Sequence, residues 1–202
     1  MFDIYLRELK EKIFKNFVSS TPQCVTPNLV TLFSLIFGII SALACSQGLY
    51  TIGLYSWIIN RILDGYDGTL ARVRKMQTDF GGYFDIIADF ITYSIVPIGI
   101  AYQKQNIQVY FALSIMLGTF FVNSVGLFYL SAILEKRKLT KNNELTTISM
   151  PQALIEGTET VVMFSLFIIF QQQIVFLYWL FSIGVSISIT QRVIFAKKVL
   201  KE

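Results

Sequence analysis

Histidine is absent from the 202 residues, so any proton transfer must run through carboxylates, lysine, tyrosine, thiol or water. Cysteine occurs twice, at Cys24 and Cys45, without C-x-x-C spacing, which argues against a disulfide or a zinc site. Charge is scarce: Asp, Glu, Lys and Arg make up 15% of the chain, against about 25% in a soluble domain. There is no internal repeat, low-complexity tract or sign of a second domain. The N-terminus lacks the short basic, apolar, small-residue order of a cleaved secretory signal.

Apolar length fills the space that charge leaves. Hydrophobic residues are 54% of the chain and aromatics 15%, and the mean hydropathy is +0.59. An integral membrane protein of one domain, residues 1–202, is the expectation. The net charge of +4 does not point to nucleic acid as a partner, because the basic residues cluster beside apolar runs. That placement reads as membrane topology and attraction to anionic lipid.

Residues 2–19, FDIYLRELKEKIFKNFVS, are too charged to cross a bilayer. Phe2, Leu6, Leu9, Ile13, Phe14 and Phe17 recur at three- and four-residue steps, which predicts an amphipathic helix over residues 1–20. Such a helix lies in the membrane interface or against the protein's own cytosolic face. Pro22 and Pro27 break the chain before the first apolar run. An all-α core of six transmembrane helices over residues 28–196 is expected after it, with spans near 28–45, 49–73, 81–102, 109–134, 151–170 and 174–196. Six spans place both termini on one side. Fifteen of the 17 basic residues fall on that side, Lys104 lies opposite and Arg61 sits within a span. The positive-inside rule then makes the terminal side cytoplasmic.

Four aspartates interrupt this apolar pattern. Asp64 and Asp67 stand three apart near the end of the second span, followed at helical spacing by Gly68 and Ala71. Gly81, Asp85 and Asp89 stand four apart at the start of the third span. Carboxylates at membrane depth ask for a function. On facing, antiparallel helices they would repel one another unless cations neutralise them. Oxygen ligands favour hard cations such as Mg2+ or Mn2+, and a pair of such ions suits phosphoryl displacement. Gly65, Gly68, Ala71 and Gly81 leave room for a large substrate, and Arg72 is suited to phosphate. The chemistry of the residues leaves a second reading open, a cation or proton transporter that uses the same carboxylates.

The pattern D-x-x-D-G-x-x-A-R from Asp64 to Arg72, eight residues, then G-x-x-x-D-x-x-x-D from Gly81 to Asp89, is similar at every defined position to the signature of the CDP-alcohol phosphotransferases. Thr26-Pro27-Asn28-Leu29-Val30-Thr31 also resembles the family's approach to its first span. The resemblance implies displacement of CMP from a CDP-linked lipid by a small polar alcohol. It implies Asp64, Asp67, Asp85 and Asp89 as ligands of two Mg2+ or Mn2+ ions, with Asp89 also the catalytic base. Asp67, Gly68, Ala71 and Arg72 then lie beside the CDP group, as Gly81 does in the same groove. A homodimer built from the spans is implied too, with Gly118, Gly126 and Gly184 as candidate points of close approach. A short six-span chain resembles the phosphatidyl-transferring branch, with CDP-diacylglycerol as donor and glycerol phosphate, inositol or its phosphate, or serine as acceptor. An intact motif speaks against a non-catalytic scaffold.

The motif is silent on the alcohol. Arg74, Lys75, Arg137 and Arg192 lie on the expected cytoplasmic side, either as a basic acceptor pocket or as ordinary topological charge. Arg192, near the end of the last span, is the foremost candidate. Glu156-Gly157-Thr158-Glu159-Thr160 opens the fifth span, and Glu156 and Glu159 either bind acceptor hydroxyls or favour a helix N-terminus. Asn28 either contacts the nucleotide or caps the first span.

Overall fold

The computed structural model describes residues 14–137 and 153–200. Every regular element among them is helical: α1 Pro27–Ser46, α2 Tyr50–Val73, α3 Asp79–Lys104, α4 Ile107–Lys136, α5 Gly157–Ile169, a 3-10 turn Gln171–Gln173, and α6 Ile174–Val199. Residues 14–18 are helical as well. Most of the expected amphipathic helix, residues 1–13, lies outside the described residues, as does most of the polar loop before α5.

Local chemistry sets the helix starts. Thr26 is the N-cap of α1, accepting from the Leu29 N–H at 3.3 Å, and Pro27 follows where its fixed φ is preorganised for helix. Thr78 caps α3 through the Gly81 N–H at 3.0 Å, with Asp79 in the first turn favouring the helix dipole. Gln105, in the left-handed region at φ 46°, ends α3.

Four helical stretches are long and apolar enough to cross a membrane: Pro27–Ser46, Asp79–Lys104, Ile107–Lys136 and Gln171–Val199. The expected six are thus met in four cases. Helix α2 spans about 36 Å at 1.5 Å per residue but carries Arg61, Asp64, Asp67 and Arg72. Helix α5 has 13 residues rather than the expected twenty, about 20 Å against a hydrocarbon core of about 30 Å.

Two compact units make up the chain. In the first, residues 1–106 with 164–172, α1 packs on both α2 and α3. The backbones of α1 and α3 nearly touch: a Cβ on Gly99 would lie 2.3 Å from the Ala42 carbonyl oxygen, and one on Gly38 would lie 2.5 Å from Thr92 Oγ1. Only glycine permits that approach. Trp57, fully buried, stacks on Phe164 at 5.6 Å between ring centres and donates its Nε1–H to Ser165 at 3.0 Å. In the second unit, residues 107–163 with 173–202, α4 packs on α6.

The chain before α1 is tied to the end of α2. Val18 is buried with Val30 and Leu70, Phe14 meets Tyr66 edge-on at 5.7 Å, and Thr21 and Tyr66 share a hydroxyl hydrogen bond. Arg74 donates to the carbonyls of Pro22, Val25, Val18 and Thr21 at 2.5–3.4 Å.

Candidate active site

The first motif half lies on the C-terminal half of α2 and the second on the N-terminal half of α3. Helix α1 supports both. Thr31 on α1 donates to Asp67 Oδ2 at 2.5 Å, and Asp67 is only 3% exposed. Asn28, one turn earlier, has its Oδ1 3.1 Å from where a Gly81 Cβ would stand. With Thr26 as the cap, Asn28 is not the capping residue; it lies against the glycine that opens the second half-motif. Gly68 faces Arg72, whose guanidinium nitrogen would be 3.3 Å from a Cβ at that position, and Arg72 also reaches Thr69 Oγ1 at 3.5 Å.

The four aspartates form one electrostatic cluster. Asp64 interacts electrostatically with Asp67, Asp85 and Asp89, and Asp85 also with Asp67. Arg61 enters this cluster from α2. Its guanidinium is 2.9 Å from Asp89 Oδ1 and 3.8 Å from Asp64 Oδ2. Asp64 and Asp89 are partly open, with side chains 28% and 27% exposed, whereas Arg61 is at 9%. Asp85 Oδ1 is a buried carboxylate oxygen with no hydrogen-bond partner.

The chemistry of the donor set fits a hard divalent ion: oxygen-only ligands, with an unsatisfied oxygen on Asp85. Among the described residues, no three acidic or thiol side chains are arranged to enclose an ion as they stand.

The acceptor candidates divide between the two units, Arg74 in the first and Arg137, Glu156, Glu159 and Arg192 in the second. Arg74 is committed to the four carbonyls of residues 18–25. Arg137, exposed at the end of α4, reaches the Leu200 carbonyl at 3.5 Å. Within the second unit, Arg192, Glu156 and Glu159 do come together. Arg192 is 7% exposed, donates to Asn123 Oδ1 and interacts with Glu156, while its Nε is buried without a hydrogen-bond partner. Glu156 Oε1 accepts from the Ala153 N–H at 2.9 Å, and Glu159 Oε2 accepts from the Glu156 N–H at 3.1 Å. Ser188 and Gln191 of α6 accept from the Ile155 and Leu154 N–H groups, holding the turn before α5 against α6. Gly184 is taken up by Ile155 in the same contact, whereas Gly118 and Gly126 have no such neighbour among the described residues.

Residues that the motif does not include complete the first unit's site: Thr31, Asn60, Arg61 and Tyr93. Arg61 had one sequence signal, a cation three positions before Asp64 and therefore on its face.

The sequence matches the CDP-alcohol phosphatidyltransferase family over residues 24–190, and the chain belongs to that family. Among curated proteins it is 40% identical over 84 residues to the inner membrane protein YnjF of Escherichia coli, a match covering 41% of this chain and 40% of that one. It is 35% identical over 81 residues to a CDP-diacylglycerol–serine O-phosphatidyltransferase of Helicobacter pylori, covering 40% of this chain and 34% of the relative. The matches thus span less than half of the curated relatives' length. The fold is similar to that of the Mycobacterium tuberculosis phosphatidylinositol phosphate synthase with CDP-DAG bound, at TM-score 0.67 and 21% identity over 92% of both chains. The same enzyme in complex with manganese and citrate gives TM-score 0.66 at 21% identity, over 91% of this chain and 87% of that one.

Proposed function

We propose that the protein transfers a phosphatidyl group from CDP-diacylglycerol to a small polar alcohol, releasing CMP, as a step of phospholipid synthesis. The observation that carries this reading is the gathering of Asp64, Asp67, Asp85 and Asp89 between α2 and α3 in a chain of this family. Family membership also favours it over the transport reading.

Asp64, Asp67, Asp85 and Asp89 are the proposed ligands of Mg2+ or Mn2+, two ions per site. Bound there, the ions supply charge neutralisation for the pyrophosphate and for departing CMP. The chain's own residues do the rest. Gly68 lets the Arg72 guanidinium lie against α2 and Gly81 lets Asn28 and Thr78 lie against α3; these residues, with Ala71, are the proposed wall for the nucleotide, and Arg72 meets phosphate charge. Asp89 takes the proton as the acceptor oxygen bonds to the lipid-bearing phosphorus, and the bond from that phosphorus to CMP breaks. Thr31 fixes Asp67 from behind.

The acceptor remains a class: glycerol phosphate, inositol or its phosphate, or serine. Arg192 with Glu156 and Glu159 is the proposed recognition group, because a buried guanidinium with an unused donor suits an anionic or polyhydroxylic ligand. A single membrane domain of six spans, working as a homodimer with its termini and site on the cytoplasmic side, is the arrangement in which soluble alcohol and CDP-lipid meet.

The test is CMP release from CDP-diacylglycerol by the purified protein in detergent, across a panel of these alcohols with Mg2+ or Mn2+. Release that needs one acceptor and the metal supports the proposal. Release no faster than that of Asp89→Asn with every acceptor overturns it.

A further inference from the structure

We propose that Arg61 is a positioning residue of the aspartate site, a tethered counter-ion that holds Asp64 and Asp89 in place while divalent ions are absent. The inference rests on the metal reading above and goes beyond it, since Arg61 lies outside the motif.

Arg61 is held through Nε, Nη1 and the faces of its guanidinium, while Nη2 pairs with Asp89 by charge without a hydrogen bond. Its Nε–H donates to Asn60 Oδ1 at 2.6 Å and its Nη1 to the Tyr93 hydroxyl at 2.8 Å. Its planar head lies over two rings, 4.8 Å from the Trp57 centroid and 5.0 Å from the Tyr93 centroid. Each of those partners is itself fixed. Asn60 is fully buried and donates to the Ser34 carbonyl and hydroxyl at 2.7 and 2.9 Å, while Ser34 donates back to the Asn60 carbonyl at 2.9 Å. Trp57 is held by Phe164 and Ser165. The guanidinium is therefore anchored to α1, α2, α3 and the end of α5 within one compact unit.

A buried ion pair that served folding alone would satisfy its charges one for one, because an uncompensated buried carboxylate is expensive. Here one guanidinium faces two carboxylates from two helices, Asp89 at 2.9 Å and Asp64 at 3.8 Å, while Asp67 is bonded by Thr31 and an Asp85 oxygen is left without a hydrogen-bond partner. The compensation is partial, which is what a site needs if it is to persist without its ions yet still attract them. Arginine suits the task better than lysine: it is always charged, forks to two acceptors and stacks on aromatic faces.

The experiment uses the full chain in detergent with Mn2+ as the probe. Free Mn2+ is followed by its paramagnetic resonance signal, and thermal unfolding is measured without metal and at saturating Mn2+. In the expected result, Arg61→Met lowers the metal-free midpoint, saturating Mn2+ restores most of that loss, and Mn2+ binds about tenfold tighter than to wild type, as linkage requires. Arg61→Lys keeps the charge and loses the fork, so its metal-free midpoint lies between the two and its Mn2+ affinity near wild type. The metal-free loss caused by Arg61→Met also shrinks in an Asp89→Asn background. An equal loss with and without Mn2+ would make Arg61 an ordinary packing residue and overturn the proposal; so would wild-type stability in Arg61→Met. Should Arg61→Met fail to fold, the same comparison in Arg61→Lys decides. Wild-type protein that binds no Mn2+ would instead remove the metal reading, and this inference with it.

Discussion

Thr31 on α1 donates its hydroxyl to Asp67 on α2 across 2.5 Å, in a place where neither residue meets solvent. The same hydroxyl lies 3.2 Å from the Pro27 carbonyl, so one side chain joins the capped first turn of α1 to the first half-motif. The second half-motif touches the same turn through Asn28 and Gly81. Helix α1, which carries no acidic residue of its own, is thus the common support of both halves.

Thr31→Val keeps the shape of that side chain and removes the donor. Partners that orient a metal ligand are worth about 10- to 100-fold in affinity or activity. The expected outcome is a loss of that order in CMP release, with a rise in the Mn2+ concentration needed for half-maximal rate. Thr31→Ser retains the hydroxyl and should recover most of it. A rate and metal dependence unchanged in Thr31→Val would mean that Asp67 is oriented without this bond.

The carboxylate motif was legible because helical spacing alone puts Asp64 with Asp67, and Asp85 with Asp89, on common faces. What closes the site was not. Arg61 meets Asp89 across 28 positions of sequence, and its stacking on Tyr93 depends on how α2 and α3 are set against α1. Arg74 has the same sequence signature as any topological charge, yet it is engaged by four carbonyls at the end of the helical stretch 14–18 and in the turns leading to α1, a long-range contact. The apolar run at 151–170 promised a full span, but the chain bends at Leu154 and Ile155 and α5 begins only at Gly157. That bend is held by side chains of α6, a tertiary cause that no window of hydropathy contains.

Arg74→Ala removes a guanidinium donor from those carbonyls, of which Val18 and Pro22 still accept from the Thr21 and Val25 N–H groups. Charged hydrogen bonds contribute about 1.5–3 kcal/mol each, though not additively. A fall in thermal midpoint of roughly 5–10 °C is expected for a chain of this size. Limited proteolysis should cut earlier within residues 18–25. Mn2+ affinity should stay at the wild-type value, since Arg74 touches none of the aspartates. A shift in affinity without a loss of stability would return Arg74 to the acceptor or metal site.

The glycines divide into two classes with opposite outcomes. Gly99→Ala drives a methyl to 2.3 Å from the Ala42 oxygen, so α1 and α3 must separate. Overpacking of this kind costs about 1–3 kcal/mol, and the separation disturbs both supports of the motif. Thermal midpoint and CMP release should fall together. Gly126→Ala meets nothing within 4 Å among the described residues and replaces a poor helix former with a good one, a change worth up to about 1 kcal/mol in favour of the helix. Its midpoint should hold or rise. A fall in Gly126→Ala of the size seen for Gly99→Ala would show that α4 is in close contact with another copy at that position.

Arg192 supplies the sharpest separation between a structural and a binding role. It is buried, bonded to Asn123 and close to Glu156, yet its Nε has no partner. Arg192→Lys preserves the charge beside Glu156 and removes the planar donor set. If the unused donor serves the acceptor, KM for the alcohol should rise about tenfold or more, the loss of one charge-assisted hydrogen bond, while KM for CDP-diacylglycerol and Mn2+ affinity remain near wild type. Asn123→Ala provides the comparison, because it frees the guanidinium without deleting it. Its effect should appear in stability before it appears in KM for the alcohol. Equal changes in both KM values for Arg192→Lys would instead make the Arg192–Asn123 pair a brace between α6 and α4, with acceptor recognition carried by other residues.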